Sequence, residues 1–323
     1  MKKYGLLAFV VMQVVLAGVA SKPLRAYVTA KSISAVDGSI VAHKWISSAF
    51  PVTWQMYPTQ GSNVTGSRQQ SDVLNTSFGA WAAVVPVSVT QGANTAATVL
   101  PNQYDGINCI STTATPGDLP TNVLAYTYTF FFSQTGIDQL GRTISFPGQI
   151  VEADMEFTNQ SGIAFSLSPT TPPNAIDFQS VATHEAGHFF GMDHASNSSS
   201  TMFWATGPGY SYQRNLSTDD IAGISTLYPP ANFSSTGTLN GKVNTTANVP
   251  VYGAIVVAVN ASGQPVASTV TDPTGAYSIQ GLPAGSYTVF AQPLSGTITA
   301  GNISTLGQIY NATVNTNFTM RFH

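Results

Sequence analysis

Hydrophobic residues follow two different periods along the chain. Residues 122–132 (NVLAYTYTFFF) and 149–158 (QIVEADMEFT) are rich in aromatic and β-branched residues, which predicts strands. In residues 71–84 (SDVLNTSFGAWAAV) the apolar positions instead recur every three or four residues, as one buried face of a helix requires. Ser71 is the expected N-cap of this helix, because serine is favoured at that position.

A second helix is predicted at residues 175–191, a stretch that contains no proline and ends in glycine. Asp177 is the expected N-cap, because its carboxylate can accept a hydrogen bond from the first turn. Gly191 lies where the C-terminus of a helix often needs a residue with positive φ. The chain is therefore expected to turn sharply after this helix.

A third helix is predicted at residues 216–228 (LSTDDIAGISTLY). Ser217 and Asp220 have the spacing of a capping box, and the two prolines that follow the segment stop the helix. From residue 239 onwards there is no helical periodicity, and short alternating segments are separated by Gly, Pro, Asn and Asp turns. This pattern predicts an all-β second domain.

The N-terminus has the pattern of a secretory signal peptide. Lys2 and Lys3 precede an apolar run of about 16 residues, and small residues follow near Ala20, where we expect cleavage. An uncleaved anchor is the alternative, but the run is shorter than the ~20 residues that usually span a membrane, and no later stretch is apolar and long enough. We divide the chain into a signal peptide (1–20), a lead-in segment (21–40), a first domain (41–229), a linker (230–237) and a second domain (238–323).

The composition excludes some classes of function. Only 8% of the residues are charged, the formal net charge is −3, and there is no basic patch, so we predict no nucleic-acid partner. Cys109 is the single cysteine, and its apolar neighbours favour a buried core residue over a zinc-capping or redox thiol. His43 and His323 are expected at ordinary surface or terminal positions.

Three of the five histidines lie within residues 183–204 (THEAGHFFGMDHASNSSSTMFW). His184 and His188 are four residues apart on the predicted helix, so both imidazoles lie on one face and can share a metal ion. After the turn that ends the helix, His194 can return as a third ligand, which leaves the fourth position of a tetrahedral zinc for water. Glu185 is then placed to accept a proton from that water.

The pattern HExxHxxGxxH, present as HEAGHFFGMDH, is followed by a methionine within STMFW. This combination resembles the metzincin zinc endopeptidases, and LSTDDIAGISTLYP resembles the last catalytic-domain helix of the matrixins among them. The resemblance covers residues 41–229 and implies an α+β metzincin-type domain with a mixed twisted sheet and a zinc-binding helix. It implies zinc ligands His184, His188 and His194, general base and acid Glu185, and Met202 as support beneath the metal.

The C-terminal part has a different resemblance. The segment TDPTGAYSIQGLPAGSYTVFA (271–291) is similar to the carboxypeptidase regulatory-like, or prealbumin-like, β-sandwich domains. The resemblance covers residues 238–323 and implies a fold, but such sandwiches serve as spacers, adhesion modules or binding modules. No catalytic cluster is visible in this part of the sequence.

Three acidic residues alternate along the strand predicted at 149–158. Glu152, Asp154 and Glu156 therefore share one face of that strand. Carboxylate oxygens are ligands that calcium prefers, so a calcium site is one interpretation. A solvated polar face is the other.

Together these features predict a secreted zinc-dependent endopeptidase with one catalytic zinc, a polypeptide substrate and no transmembrane segment in the mature chain. The alternative is a cell-surface binding or adhesion protein, in which the sandwich binds the partner and the zinc site is vestigial. A replacement of Glu185 that leaves all activity unchanged would favour that alternative. A third possibility is a processing enzyme with one partner, which would not cleave generic substrates.

Overall fold

The structure is a computed structural model that describes residues 7–11, 15–16, 28–114, 118–195, 198–294, 313–315, 317–319 and 321–322, with the backbone alone for the first two and the last of these ranges. Strands and helices are mixed in the first part of the chain, and the described residues after 236 contain strands without helices. The α+β fold predicted from the sequence is confirmed.

The strands of the first region are β1 (Leu7–Val11), β2 (Val15–Leu16), β3 (Val28–Thr29), β4 (Lys31–Ile33), β5 (Ile40–Ala42), β6 (Lys44–Trp45), β7 (Val52–Met56), β8 (Val64–Thr65), β9 (Val89–Gln91), β10 (Asn108–Ala114), β11 (Ala125–Phe132), β12 (Gly136–Ile137), β13 (Thr143–Ile144), β14 (Gln149–Thr158), β15 (Phe165–Ser166), β16 (Ile176–Asp177), β17 (Met192–Asp193) and β18 (Ala205–Thr206). The α-helices are α1 (Gln70–Ala82), α2 (Phe178–Phe189) and α3 (Thr218–Leu227). The strands of the second region are β19 (Gly237–Lys242), β20 (Ile255–Asn260), β21 (Pro265–Val270), β22 (Ala276–Leu282), β23 (Tyr287–Gln292) and β24 (Arg321–Phe322).

The main sheet has the strand order β1-β11-β14-β10-β7-β9, and β6 also pairs with β14. β11 is antiparallel to β14 and to β1, whereas β14, β10, β7 and β9 pair in parallel. The predicted mixed sheet is therefore present. β14 coincides with the predicted strand at 149–158, but β11 begins three residues later than predicted, because Asn122 has a φ of 68° and turns the chain.

α1 and α2 pack against each other, and α2 also contacts β11 and β14 of the main sheet. The indole of Trp81 donates a hydrogen bond to the carbonyl of Thr183 at 2.9 Å, and that of Trp45 donates to the carbonyl of Phe189 at 2.8 Å. Phe78 fills the space between the helices, where its ring meets that of Phe189 edge to face. Burial of each such aromatic side chain stabilises the fold by ~1.5–3 kcal/mol.

The predicted N-cap of α1 is wrong. The helix begins at Gln70, and the cap position belongs to Gln69, which makes no side-chain capping hydrogen bond. Ser71 instead lies within the first turn. The buried face of α1 starts with Gln70 and continues through the apolar positions predicted from the sequence, so packing sets the start of this helix.

The second region is built from the sheet β21-β20-β23-β24 and the pair β19-β22, as predicted for an all-β domain. It lies against α3. Asp219 of α3 accepts hydrogen bonds from the backbone N–H and the hydroxyl of Ser268, at 2.9 and 3.0 Å. Ala222 of α3 and Ile279 of β22 belong to one continuous buried apolar cluster, so the two regions share a core. The five-segment division of the chain stays a prediction.

The predicted signal-peptide cleavage site near Ala20 lies outside the described residues, as does His323. Within the part of the chain that the structure describes, we find no helix with the length and apolar character needed to cross a membrane. The backbone of β1 pairs with β11, and that of β2 pairs in parallel with β18.

Candidate metal centre

The N-terminus of α2 is fixed by Asp177, as predicted. Its carboxylate accepts hydrogen bonds from the backbone N–H of Ser180 at 2.7 Å and from the hydroxyl of Thr171 at 2.6 Å. Arg214 donates through Nε at 2.9 Å and also pairs with the second oxygen. Burial acts to raise the pKa of Asp177, but the hydrogen bonds from Arg214 and then Thr171 and Ser180 outweigh it and hold the pKa below its usual value. The carboxylate is therefore charged beside the positive end of the helix dipole.

The C-terminus of α2 turns sharply at Gly191, which has a φ of +94°. A side chain at this position would overlap the backbone carbonyl of His43, so both the conformation and the space require glycine. The predicted glycine turn is confirmed. The chain then returns through β17 and carries His194 back towards the helix.

The turn and the helix bring three imidazoles together. The Nε2 atom of His184 lies 3.0 Å from Nε2 of His188 and 3.1 Å from Nε2 of His194. A tetrahedral zinc with Zn–N bonds of ~2.05 Å separates its ligand nitrogens by ~3.3 Å, close to these distances. Among the described residues, these three form the one group of histidine, cysteine or carboxylate side chains that could hold a metal ion.

The hydrogen bonds of the other ring nitrogens indicate which tautomers are present. Nδ1 of His184 lies 2.7 Å from the carbonyl oxygen of Thr201, and Nδ1 of His188 lies 2.8 Å from that of Met192. A carbonyl oxygen only accepts, so each Nδ1 carries the hydrogen and each Nε2 presents a lone pair. Lone pairs that face one another at ~3 Å repel unless a cation lies between them, so the donor set fits a metal.

All three imidazoles are buried. Burial lowers the pKa of His184 well below its usual value, and the neighbouring His188 and His194 lower it further. Burial also lowers the pKa of His188. Both rings are therefore neutral at physiological pH, which is the form that binds a metal.

Glu185 is fully buried and is not part of the three-histidine group. Its Oε2 accepts a hydrogen bond of 2.6 Å from the hydroxyl of Thr127 on β11. Its Oε1 has no hydrogen-bond partner in the part of the chain that the structure describes. Burial raises the pKa of Glu185 to about 8, although the Thr127 hydrogen bond acts to lower it. A raised pKa makes Glu185 a stronger base once it is deprotonated, and its unpaired oxygen can then accept a proton from a water molecule in this site.

The methionine turn lies against the metal helix. Met202 is fully buried, and a Cβ added to Gly187 of α2 would overlap its sulfur atom. Asp220 holds the turn from α3, because its carboxylate accepts from the backbone N–H of Thr201 at 2.8 Å and from that of Met202 at 3.2 Å. The capping box of Ser217 and Asp220 is confirmed, and the second role of Asp220 is one that the sequence analysis missed.

The acidic row on β14 is not a solvated face, because Glu152, Asp154 and Glu156 are all buried. The carboxylate of Asp154 accepts from the backbone N–H of Asn102 at 3.0 Å and from that of Cys109 at 2.8 Å. Backbone N–H groups, and not solvent, are therefore the partners of Asp154 on this face.

The other two acids of the row are also engaged. Glu152 accepts from the backbone N–H of Asp105 at 3.1 Å and also from that of Gly106. The hydroxyl of Tyr128 donates to Glu156 at 3.2 Å. Burial raises the pKa of both Glu152 and Glu156 to about 7. Glu152 and Asp154 thus hold the loop before β10 and the start of that strand, whereas Glu156 contacts β11, and among the described residues the three acids form no group that could hold a metal ion.

Two further expectations have clear outcomes. Cys109 is fully buried, and burial raises the pKa of its thiol to about 12, so the core role predicted for it is confirmed. His43 is not at the surface as expected: it is buried, its ring stacks on Phe131 with a centroid distance of 3.7 Å, and burial lowers its pKa to about 3. The sequence around His43 is mixed in polarity and gave no signal of this burial.

Comparison with protein families agrees with the geometry. The matrixin family model matches residues 44–229, more than half of the chain, and the model of the carboxypeptidase regulatory-like domain matches residues 238–321. The chain belongs to the matrixin family. This membership makes zinc the metal expected at the three histidines of this matrixin.

Individual matrixin relatives match shorter stretches. Metalloendoproteinase 1-MMP of Arabidopsis thaliana is 43% identical over 56 residues, which cover 17% of this chain and 15% of that protein. Matrilysin of Homo sapiens is 45% identical over 53 residues, covering 16% and 20%. Metalloendoproteinase 4-MMP of Arabidopsis thaliana is 29% identical over 156 residues, covering 48% and 39%. This matrixin therefore spans well under half the length of these relatives.

Proposed function

We propose that this chain is an exported zinc-dependent endopeptidase with a single catalytic zinc held by His184, His188 and His194. The observation that carries the proposal is the convergence of three buried Nε2 atoms beside Glu185, in a chain of the matrixin family. The unpaired Oε1 of Glu185 supports it further, because a buried polar atom without a partner is costly unless a water or a ligand completes it.

The residues of the chain have separate roles in the proposed reaction. When bound, zinc lowers the pKa of a coordinated water from ~15.7 towards ~7 and polarises the substrate carbonyl. Glu185 would accept a proton from a water molecule in this site through Oε1 and would then donate it to the nitrogen of the leaving amine. Met202 supports the site from beneath, through its contact with the helix at Gly187.

An extended polypeptide is the substrate that the surrounding backbone favours. β11 carries Thr127, which contacts Glu185, and β18 follows Met202 by three residues. Both accept an extended strand: β1 pairs with β11 in antiparallel orientation, and β2 pairs with β18 in parallel. Main-chain pairing of this kind binds a peptide irrespective of its side chains.

Export is proposed from the N-terminal pattern of two lysines and an apolar run. We keep the division into a signal peptide, a catalytic domain, a linker and a C-terminal sandwich as part of the proposal. We propose no structural calcium at the acidic row, because the oxygens of Asp154 and Glu152 already accept backbone hydrogen bonds.

The test is hydrolysis of a quenched peptide library by the purified mature chain and by its Glu185→Ala variant. We expect cleavage by the wild type and a fall in kcat/KM of at least ~10³-fold in the variant, because general acid–base catalysis contributes ~10²–10⁴-fold and the variant loses both proton-transfer steps. Zinc content, measured on both samples, should be equal because all three ligands remain.

Asp72→Ala is the matched control, since it removes an exposed acid from the first turn of α1. It should cleave as the wild type does. Equal cleavage by the wild type and Glu185→Ala would show that the activity belongs to a contaminant. A zinc-loaded wild type that cleaves nothing would favour the binding or adhesion protein instead.

A further inference from the structure

Thr127 stands out among the residues around Glu185 because it comes from the sheet and not from the metal motif. It lies on β11, faces α2, and is fully buried together with Glu185. Its hydroxyl lies 2.6 Å from Oε2 of Glu185 and 3.3 Å from the backbone carbonyl of the same residue. A hydroxyl has one hydrogen to donate, and the shorter distance assigns it to the carboxylate.

This hydrogen bond restricts the last torsion of the glutamate. The terminal torsion of Glu is broad and roughly two-fold, so an isolated carboxylate rotates readily. Thr127 is held by the antiparallel ladder between β11 and β14, where it lies opposite Met155. The bond from a rigid strand therefore fixes Oε2 and leaves Oε1, which has no partner among the described residues, as the oxygen that can meet water.

We propose that Thr127 is a positioning residue for the reaction: its hydroxyl orients the carboxylate of Glu185 so that Oε1 alone faces the water to be deprotonated. This inference rests on the proposed endopeptidase function and adds a residue to it. An orienting group of this kind, held by a rigid element, typically changes activity by ~10–100-fold when it is removed.

Thr129 provides an internal comparison. It lies two residues along β11 and therefore on the same face as Thr127, and it is also buried. Its hydroxyl has no hydrogen-bond partner in the part of the chain that the structure describes. The contact at Thr127 is thus specific to one position of the strand, and Thr129→Val is a control that removes a hydroxyl of the same kind.

The experiment compares wild type, Thr127→Val, Thr127→Ser and Thr129→Val for kcat, KM, zinc content and Tm, on a peptide that the wild type cleaves. Thr127→Val should lower kcat by ~10–100-fold with KM within about twofold, since orientation of the base affects the chemical step more than binding. Thr127→Ser keeps a hydroxyl and should restore kcat to within about threefold of wild type. Thr129→Val should leave kcat unchanged.

A crystal structure of the metal-free Thr127→Val variant supplies a readout independent of turnover. We expect the Glu185 carboxylate in more than one orientation there, and in one orientation in the metal-free wild type. If Thr127→Val does not fold, Thr127→Ala takes its place in both measurements.

Three results would overturn the inference: a kcat within twofold of wild type in a zinc-loaded Thr127→Val or Thr127→Ala chain, no rescue by Thr127→Ser, or an unchanged carboxylate in the variant crystal. A wild type that binds zinc but cleaves no peptide would overturn the proposed function itself, and the inference with it. The activity of the wild type alone therefore distinguishes failure of the proposed function from failure of the inference about Thr127.

Discussion

Two sets of side chains of the types that can bind a metal occur in this protein, on and after α2 and on β14, and they have different surroundings. The histidines use the spacing of four residues on α2 and the turn at Gly191, which bring the Nε2 atoms of His188 and His194 to 3.0 and 3.1 Å from that of His184. The acids use alternate positions on β14, where residues two apart lie ~6.6 Å apart along the strand and point in parallel. A helix followed by a sharp turn can bring its side chains to one point, whereas the side chains on one face of a strand stay apart.

The two sets also differ in the partners of their ring nitrogens and carboxylate oxygens. The Nε2 atoms of His188 and His194 lie close to that of His184, while the Nδ1 atoms of His184 and His188 contact backbone carbonyls. The carboxylates of Asp154 and Glu152 accept hydrogen bonds from backbone N–H groups of the loop before β10 and, at Cys109, of β10 itself. Residue type therefore does not define a metal site, whereas the convergence of ligand atoms does.

Removal and return of the metal should have the largest effect and separates the two sets directly. Stripping metal with 1,10-phenanthroline should abolish peptide cleavage, and zinc should restore it, because the histidines hold the only metal in our account. Calcium added to the stripped protein should restore neither cleavage nor Tm. A rise in Tm of several degrees with calcium alone would contradict this expectation and would indicate that the acidic row binds calcium.

Asp154→Ala tests the structural role of the acidic row. It leaves the buried N–H of Cys109 without its acceptor, at a cost of ~1–3 kcal/mol, and also removes the acceptor of the N–H of Asn102, an exposed residue. We expect the free energy of unfolding in urea to fall by about 2–4 kcal/mol, with zinc content unchanged. Asp72→Ala, which removes an exposed acid, should change it by less than ~0.5 kcal/mol. Loss of zinc from folded Asp154→Ala would contradict the separation of the two sets.

Glu156→Gln should have a smaller effect that depends on pH. Burial raises the pKa of Glu156 in the folded state to about 7 from an ordinary value of 4.5, so its contribution to stability is fully present below pH 4.5 and is lost as the pH rises through about 7. Glutamine carries no charge at either pH. The stability of the variant relative to wild type should therefore increase by up to ~3 kcal/mol between pH 4.5 and 8, because each pKa unit between the folded and unfolded states corresponds to ~1.36 kcal/mol. A difference in Tm that stays constant across this range would show that the folded pKa is not raised.

Short-range features of the site could be predicted from the sequence. The cap at Asp177, the turn at Gly191 and the spacing of the histidines all depend on residues within one or two helical turns of each other. They fix most of the metal centre, because its parts lie in one continuous stretch. The mixed sheet was implied by the resemblance to the metzincins, and the all-β second region was predictable because its segments have the alternation and punctuation typical of strands.

Contacts between distant segments could not be predicted. Thr127 lies 58 residues before Glu185, and Gly106 lies 46 residues before Glu152, and no spacing rule connects such pairs. The burial of the acidic row depends on the loop that covers it, and the start of α1 depends on packing at Gln70 and not on the capping preference of Ser71. These features are set by the tertiary structure.

The most direct test of the central claim is the zinc content of three purified chains, measured by mass spectrometry after dialysis against zinc and then against metal-free buffer. We predict one zinc per chain in wild type and in Asp154→Asn, and less than a tenth of a zinc per chain in His188→Ala. Equal zinc in His188→Ala and wild type, or loss of zinc in Asp154→Asn with the fold intact, would contradict the assignment of the metal centre to the three histidines.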